Sequence, residues 1–289
     1  AKAYLDKLLD EWARLQATPG RREQSLEAAS FDAWIKLYKP DEANLNSTVS
    51  YYLKGGLVAC TLDLEVRRRS EGRHTLGDAL ALLWRRFGAA GQPYPEDVQA
   101  VFEEATQLAL DGFFARAIRG VDDPDLPGEL SHLGLELKEV REPAPDPGRL
   151  GDGTPVCIGA STGAAAAATR VTAVQDGSPA QRAGISPGDE IVAVDGLRVV
   201  SDAEVRARLA ARPPGARVAL SLFRRGRLHT VAVELAPAPP TRYDLVAIAA
   251  ANEAQREAYQ GWLGEPFPAP PGAVAGPALA TVATAGRWL

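Results

Sequence analysis

Few residues in this sequence have the type and spacing for chemistry. The three histidines, His74, His132 and His229, stand far apart and none is followed by glutamate, so they read as surface or loop residues rather than metal ligands. Cys60 and Cys157 form no CxxC pair and fall in segments of different character, which argues against both a cysteine zinc site and a disulfide framework. The run Val49-Ser50-Tyr51-Tyr52-Leu53-Lys54-Gly55 is more suggestive. Val49, Leu53, Gly56, Leu57, Cys60 and Leu64 recur as the buried stripe of a helix turning about 100° per residue. Tyr51 then projects away from that stripe, whereas Tyr52 lies on its flank, where a ring packs while its hydroxyl reaches a cleft. The default for such a residue is a boundary tyrosine with a satisfied hydroxyl. Lys54 reads as a solvated charge, and Gly55-Gly56 as a point of close packing gained at some helical cost.

The elements that must position these residues fall into two halves. Residues 2–119 have helical periodicity, with Leu5, Leu8, Leu9, Trp12 and Leu15 recurring at spacings of three and four. Thr75 and Asp78 suit the start of one helix, which Gly88 ends; Pro95, Glu96 and Asp97 suit the first turn of the next, and Asp111 opens a short last one. Leu133 to Val140 alternates like a strand. A Pro/Gly/Asp-rich stretch separates this half from one where the period is two. Strands are expected over 170–174 and 190–194, and a hairpin over 218–223 and 229–233 closed at Arg225-Gly226. Helices are expected at 178–183 and 202–211, and a loop at 164–168. The divisions are therefore 1–141 for the helical part, 142–154 for a linker and 155–236 for a small β-domain. Residues 237–289 are a Pro/Ala-rich tail with one helix at 252–263, the last twenty or so reading as disordered.

With 289 residues there is room for roughly two domains. A hydrophobic content of 46 % and a charged content of 24 % are those of a soluble globular protein. The net charge of −5 argues against nucleic acid or an anionic membrane as partner, and no apolar run approaches the ~18 residues that span a bilayer. The chain starts in helix without a methionine or signal peptide, so the expectation is a fragment whose N-terminus lies upstream.

The string Asp176-Gly177-Ser178-Pro179-Ala180-Gln181-Arg182-Ala183-Gly184-Ile185-Ser186-Pro187-Gly188-Asp189-Glu190-Ile191-Val192-Ala193-Val194-Asp195-Gly196 joins a capped short helix, a turn and a strand. It resembles the PDZ domains of bacterial proteases. Such domains take a peptide C-terminus as an added strand, its carboxylate held by backbone N–H groups of an apolar-Gly-apolar loop. Ile158-Gly159-Ala160 matches that loop; Leu133-Gly134-Leu135 also matches, but lies beyond the Pro-rich stretch, so the first is favoured. Val205 and Leu209 on the second helix are expected either to face the peptide or to pack on the domain's own sheet.

In the helical half, Phe31-Asp32-Ala33-Trp34-Ile35-Lys36, Val49-Ser50-Tyr51-Tyr52-Leu53-Lys54-Gly55, Leu83-Trp84-Arg85-Arg86-Phe87-Gly88 and Phe113-Phe114-Ala115-Arg116-Ala117-Ile118-Arg119-Gly120 follow in order. With the β-domain they resemble the glycyl aminopeptidase family, gluzincin zinc peptidases with a C-terminal PDZ domain. The resemblance implies an α+β multidomain chain: the all-α C-terminal part of a gluzincin catalytic domain, then a PDZ-type β-domain with two helices. It implies zinc in the full-length parent, held by an HExxH helix and a later glutamate that this chain lacks, so the chain alone is expected to be inactive and without a metal site. It also implies a catalytic tyrosine two residues before a Lys-Gly pair, its hydroxyl stabilising the oxyanion of the tetrahedral intermediate. That position is Tyr52, with Tyr51 the competitor.

Two functions follow. One is removal of N-terminal glycine or alanine from peptides, with the PDZ part binding protein C-termini and the upstream catalytic region as partner. The other is a non-catalytic peptide-binding or adaptor protein. A serine protease is set aside, since a helical half supplies no β-barrel to hold a triad.

Overall fold

A computed structural model describes residues 1–141, 154–165 and 168–268. In the first part, the helix Lys2–Gln16 buries Leu5, Leu8, Leu9, Trp12 and Leu15, the stripe expected from their spacing. It packs against the 19-residue helix Tyr51–Arg69, whose Ser50 cap accepts from the Leu53 amide at 3.4 Å. A capping box formed by Thr75 and Asp78 starts Leu76–Leu83, which runs on as a π-turn to Gly88. The next helix begins at Val98 rather than Pro95, because the Asp97 carboxylate takes the Ala100 amide and so sets the cap there. Asp111–Phe113 continues as a second π-turn, Phe114–Arg119. Val58, Leu62, Val66, Leu110, Phe113 and Phe114 form a second cluster behind the long helix.

The segment after 237 differs from the expected tail. Arg242–Ala247 pairs antiparallel with Leu135–Val140, in register from Leu135↔Ala247 to Val140↔Arg242. Tyr243, Leu245 and Tyr259 are buried in the same core as Leu5, Leu9 and Leu135. Helix Glu253–Leu263 then closes that core, with the Trp262 ring edge-on to Tyr4 at 5.7 Å. The Pro/Ala bias hid a six-residue alternation whose pairing strand lies more than a hundred residues earlier. Of the tail, 269–289 lies outside the described residues, as does 142–153 of the linker.

The second part has its own core of Ile158, Ala160, Ile191, Val194, Val205, Leu209, Val218, Leu220 and Leu222, among others. Its antiparallel sheet runs Ala160–Ala165, Ala168–Val174, Glu190–Val194, Arg217–Arg224, Arg227–Glu234, with Leu197–Arg198 added on Glu190–Val194. Val156–Cys157 pairs separately with Ala236–Pro237. Helices Pro179–Arg182 and Asp202–Ala210 cover it. The chain is thus α+β: a helical layer followed by a small β-domain with two helices. The loop expected at 164–168 is replaced by strand, Ala165 facing Ala168 across a hairpin; a run of alanines carries no period to reveal it, and 166–167 lie outside the described residues.

One buried ion pair gives the β-domain a pH dependence. Asp189 is 1 % exposed and takes the Arg224 guanidinium at 2.8 and 2.6 Å and the Ser186 amide at 2.9 Å. Burial alone would raise its carboxyl; the Arg224 and Ser186 hydrogen bonds outweigh that and hold it below the usual range. A depressed folded pKa contributes stability above the unfolded value, about 3.9, and loses it as pH falls through the folded one. Chemical denaturation of the chain between pH 6 and 2.5 is expected to show this acid loss, and Asp189→Asn, destabilised at neutral pH, is expected to show a shallower slope below pH 4.

Candidate catalytic face and peptide groove

Tyr52 stands 62 % exposed in the first turn of the long helix. Its hydroxyl lies 3.0 Å from that of Tyr38, and the Tyr51 ring tilts over its own at 4.1 Å. The Tyr38 ring lies 5.2 Å from Trp34. Trp34, Phe31 and Ile35 are themselves exposed, so the segment that carries Tyr38 presents large apolar side chains at the surface. Hydrogen bonds from Tyr38 and then Tyr51 favour the Tyr52 phenolate and lower its pKa; Tyr51, bonded to Tyr52, is raised. The expected orientation is thus reversed in part. Tyr51 is half-buried against the first core and Tyr52 is the outward residue, because the helix buries a wider arc, Lys54, Val58 and Leu62 included, than the expected stripe.

Lys54 is no solvated charge. It is fully buried, its ammonium donating to the Arg21 carbonyl at 3.1 Å and the Val121 carbonyl at 3.3 Å, and burial lowers its pKa. Arg21 in turn pairs with Asp123 at 3.0 Å and donates to the Gln16 and Thr18 carbonyls. Gly20 seats this turn against the Thr48 backbone so closely that a Cβ would collide with it. These contacts fix the turn two residues before the Ser50 cap, and so fix Tyr52. Gly55 and Gly56 are not packing points: a Cβ at Gly55 would only touch Leu26, at 3.7 Å, and one at Gly56 would meet the mobile end of Glu11 at 3.4 Å. Sequence spacing missed Tyr38, fourteen residues from Tyr52, because no helical period links the two segments.

His74 is half-buried, and His132 and His229 are exposed on separate elements. Among the described residues no three His, Cys, Asp or Glu side chains gather as a metal site, so they do not fit a zinc ion. Cys60 accepts from the Tyr4 hydroxyl at 3.3 Å, and burial pushes its thiol up to about 11; Cys157 is buried and also raised.

In the β-domain, Ile158-Gly159-Ala160 leads directly into the strand Ala160–Ala165. Ile158 and Ala160 anchor the loop in the core, both fully buried. Gly159 has φ +72, and a Cβ there would strike the Ser178 side chain, so the loop needs glycine on both counts. The Ile158 and Gly159 carbonyls accept from Ala180 at 2.8 Å and Gln175 at 2.9 Å. The competing triplet lies elsewhere: Leu133 and Leu135 are in the helical core, and the Gly134 carbonyl takes the Ile248 amide. Val205 and Leu209 take the second of their two expected positions, 0 % and 1 % exposed within the domain's own core. The strand Ala160–Ala165 and the helix Asp202–Ala210 are instead joined by polar residues that periodicity did not single out. The Thr162 hydroxyl bonds Asp202, which also pairs with Arg206.

A helical part joined to a small, two-helix β-domain is the class these features define. Residues 1–58 match the family model described as M61 glycyl aminopeptidase, and residues 132–235 that of the PDZ domain, so the recognition made from the sequence stands in both parts. An aminopeptidase N family protein from Idiomarina loihiensis superposes with TM-score 0.76 at 29 % identity, over 91 % of this chain and 44 % of that one. A protein of Neisseria meningitidis predicted to be a zinc metalloprotease is 42 % identical over 57 residues, 20 % of this chain and 13 % of its own length. The periplasmic serine endoprotease DegP of Salmonella typhimurium is 35 % identical over 74 residues, 26 % of this chain and 16 % of its own. The chain thus spans less than half the length of each of these relatives. No helix among the described residues is long and apolar enough to cross a membrane.

Proposed function

We propose that this chain serves a zinc-dependent aminopeptidase that releases small N-terminal residues, glycine or alanine, from peptides. The observation that carries the reading is the exposed Tyr38–Tyr52 hydroxyl pair on the segment matched to glycyl aminopeptidases. With Tyr38 donating to Tyr52, the Tyr52 proton is left for a further acceptor, and its lowered pKa makes it a better donor to an alkoxide. The zinc would be held by residues outside this chain and would supply the polarised water and carbonyl. The PDZ part would take peptide C-termini at Ile158-Gly159-Ala160, whose N–H groups satisfy a carboxylate without a charged side chain.

After dialysis the chain alone is expected to retain no zinc by elemental analysis and to leave glycyl- and alanyl-amides intact. A protein that joins it to an HExxH helix with a downstream glutamate is expected to hold one zinc and cleave them. Stoichiometric zinc on the chain alone would overturn the assignment of the ligands elsewhere. A gene product without the HExxH region would leave the adaptor function instead.

A further inference from the structure

The two parts have separate hydrophobic cores, and no helix of the first packs extensively on an element of the second among the described residues. They meet at Asn46, on the turn Asn44–Ser47. Its side-chain amide donates to the Val174 carbonyl at 2.7 Å and accepts from the Asp176 amide at 3.0 Å. A primary amide here reproduces the donor and acceptor of a backbone peptide, so Asn46 occupies one edge of the strand end as a neighbouring strand would. The residue between the two, Gln175, donates from the opposite edge to the Gly159 carbonyl at 2.9 Å. Val174, Gln175 and Asp176 are therefore clasped on one side by the helical part and on the other by the loop of Ile158-Gly159-Ala160. On the helical side, the Asn44 side chain ties the same turn to the Lys36 carbonyl at 2.7 Å, two residues before Tyr38. The chain then runs from Ser47 through the Ser50 cap to Tyr52.

We infer that Asn46 is a latch that sets the orientation of the β-domain and couples its peptide loop to the Tyr38–Tyr52 hydroxyl pair. The coupling rests on the carboxylate reading of the loop; the latch does not. A loop that tightens on a carboxylate moves the Gly159 carbonyl, hence Gln175, hence both groups that Asn46 holds. Linkage makes the effect reciprocal, so a change at Asn46 must alter peptide affinity. Among the described residues the two Asn46 hydrogen bonds tie the parts together directly, beside the continuity of the chain itself.

The test uses the whole chain and two variants, Asn46→Ala and Asn46→Asp, the second keeping an acceptor and losing the donor. Backbone ¹⁵N relaxation without ligand is expected to give one rotational correlation time for both parts in the parent chain and two in Asn46→Ala. A common time in Asn46→Ala overturns the latch. Tyrosine ¹³C signals, assigned through Tyr38→Phe and Tyr52→Phe, are then followed as a decapeptide ending in a free-acid valine is added. Both signals are expected to move in the parent chain and stay still in Asn46→Ala, with affinity changed about fivefold or more and Asn46→Asp lying between. Binding without movement of the signals overturns the coupling. Failure of the peptide to bind any of the three overturns the carboxylate reading and the coupling with it, while the latch still stands or falls on the tumbling.

Discussion

Tyr52→Phe, made in a protein that also carries the zinc ligands, is expected to lower kcat by about 10²–10³, the usual cost of one oxyanion donor. KM, zinc content and thermal stability are expected to change little. The side chain is mostly exposed and its ring, which packs on Tyr51, is kept. A loss confined to kcat is the mark of an interaction made in the transition state only. Tyr51→Phe is expected to do much less, since Tyr51 packs in part on the core and its hydroxyl is only the second cause of the lowered Tyr52 pKa. Tyr38→Phe separates the acidifying contact from the donor itself. It removes the largest cause of the lowered Tyr52 pKa, so the alkaline limb of the rate profile is expected to move to higher pH, with a smaller fall in rate. Equal and small effects of Tyr51→Phe and Tyr52→Phe would make Tyr52 a packing residue.

Gly159→Ala is expected to cost the β-domain about 1.5–4 kcal/mol and to remove carboxylate-dependent peptide binding. Two terms contribute. An L-residue in the left-handed region costs about 1–2 kcal/mol. The new Cβ also drives against Ser178, whose hydroxyl caps the helix Pro179–Arg182 through the Gln181 amide, and loss of such a cap costs about 0.5–2 kcal/mol. Gly184→Ala is the control: its φ is +76, but no atom lies within 4 Å of the added Cβ, so it carries the first term without the second. Urea denaturation compares the stabilities, and titration with free-acid and amidated peptides reads the site. Equal stability of the two variants would mean the loop moves aside. Equal binding of free-acid and amidated peptides by the parent chain would show that the loop holds no carboxylate.

Short-range patterns in the sequence were enough for most elements. The Leu5-to-Leu15 stripe, the Thr75–Asp78 capping box and the hairpin closed at Arg225-Gly226 depend on neighbours within a few residues, and the structure has each of them. The long string from Asp176 to Gly196 works the same way, one cap and turn after another, which is why it identified the domain. What failed was whatever depended on distant partners. Arg242–Ala247 looked like tail because its strand partner is Leu135–Val140. Lys54 looked solvated because the carbonyls that hold it belong to Arg21 and Val121.

The site divides along the same line. By itself the sequence determined the kinds of groups available: a tyrosine pair at a helix start, a glycine loop before a strand, no HExxH, no cysteine pair. Only the tertiary structure decided which tyrosine faces outward, that Tyr38 meets Tyr52, that Val205 and Leu209 serve the domain's core, and that Asn46 joins the two parts. The physical reason is that hydrogen-bonded turns and helical stripes are set by local backbone geometry. Burial, and the choice of hydrogen-bond partner across elements, is set instead by how separate segments pack, and no spacing along the chain encodes that.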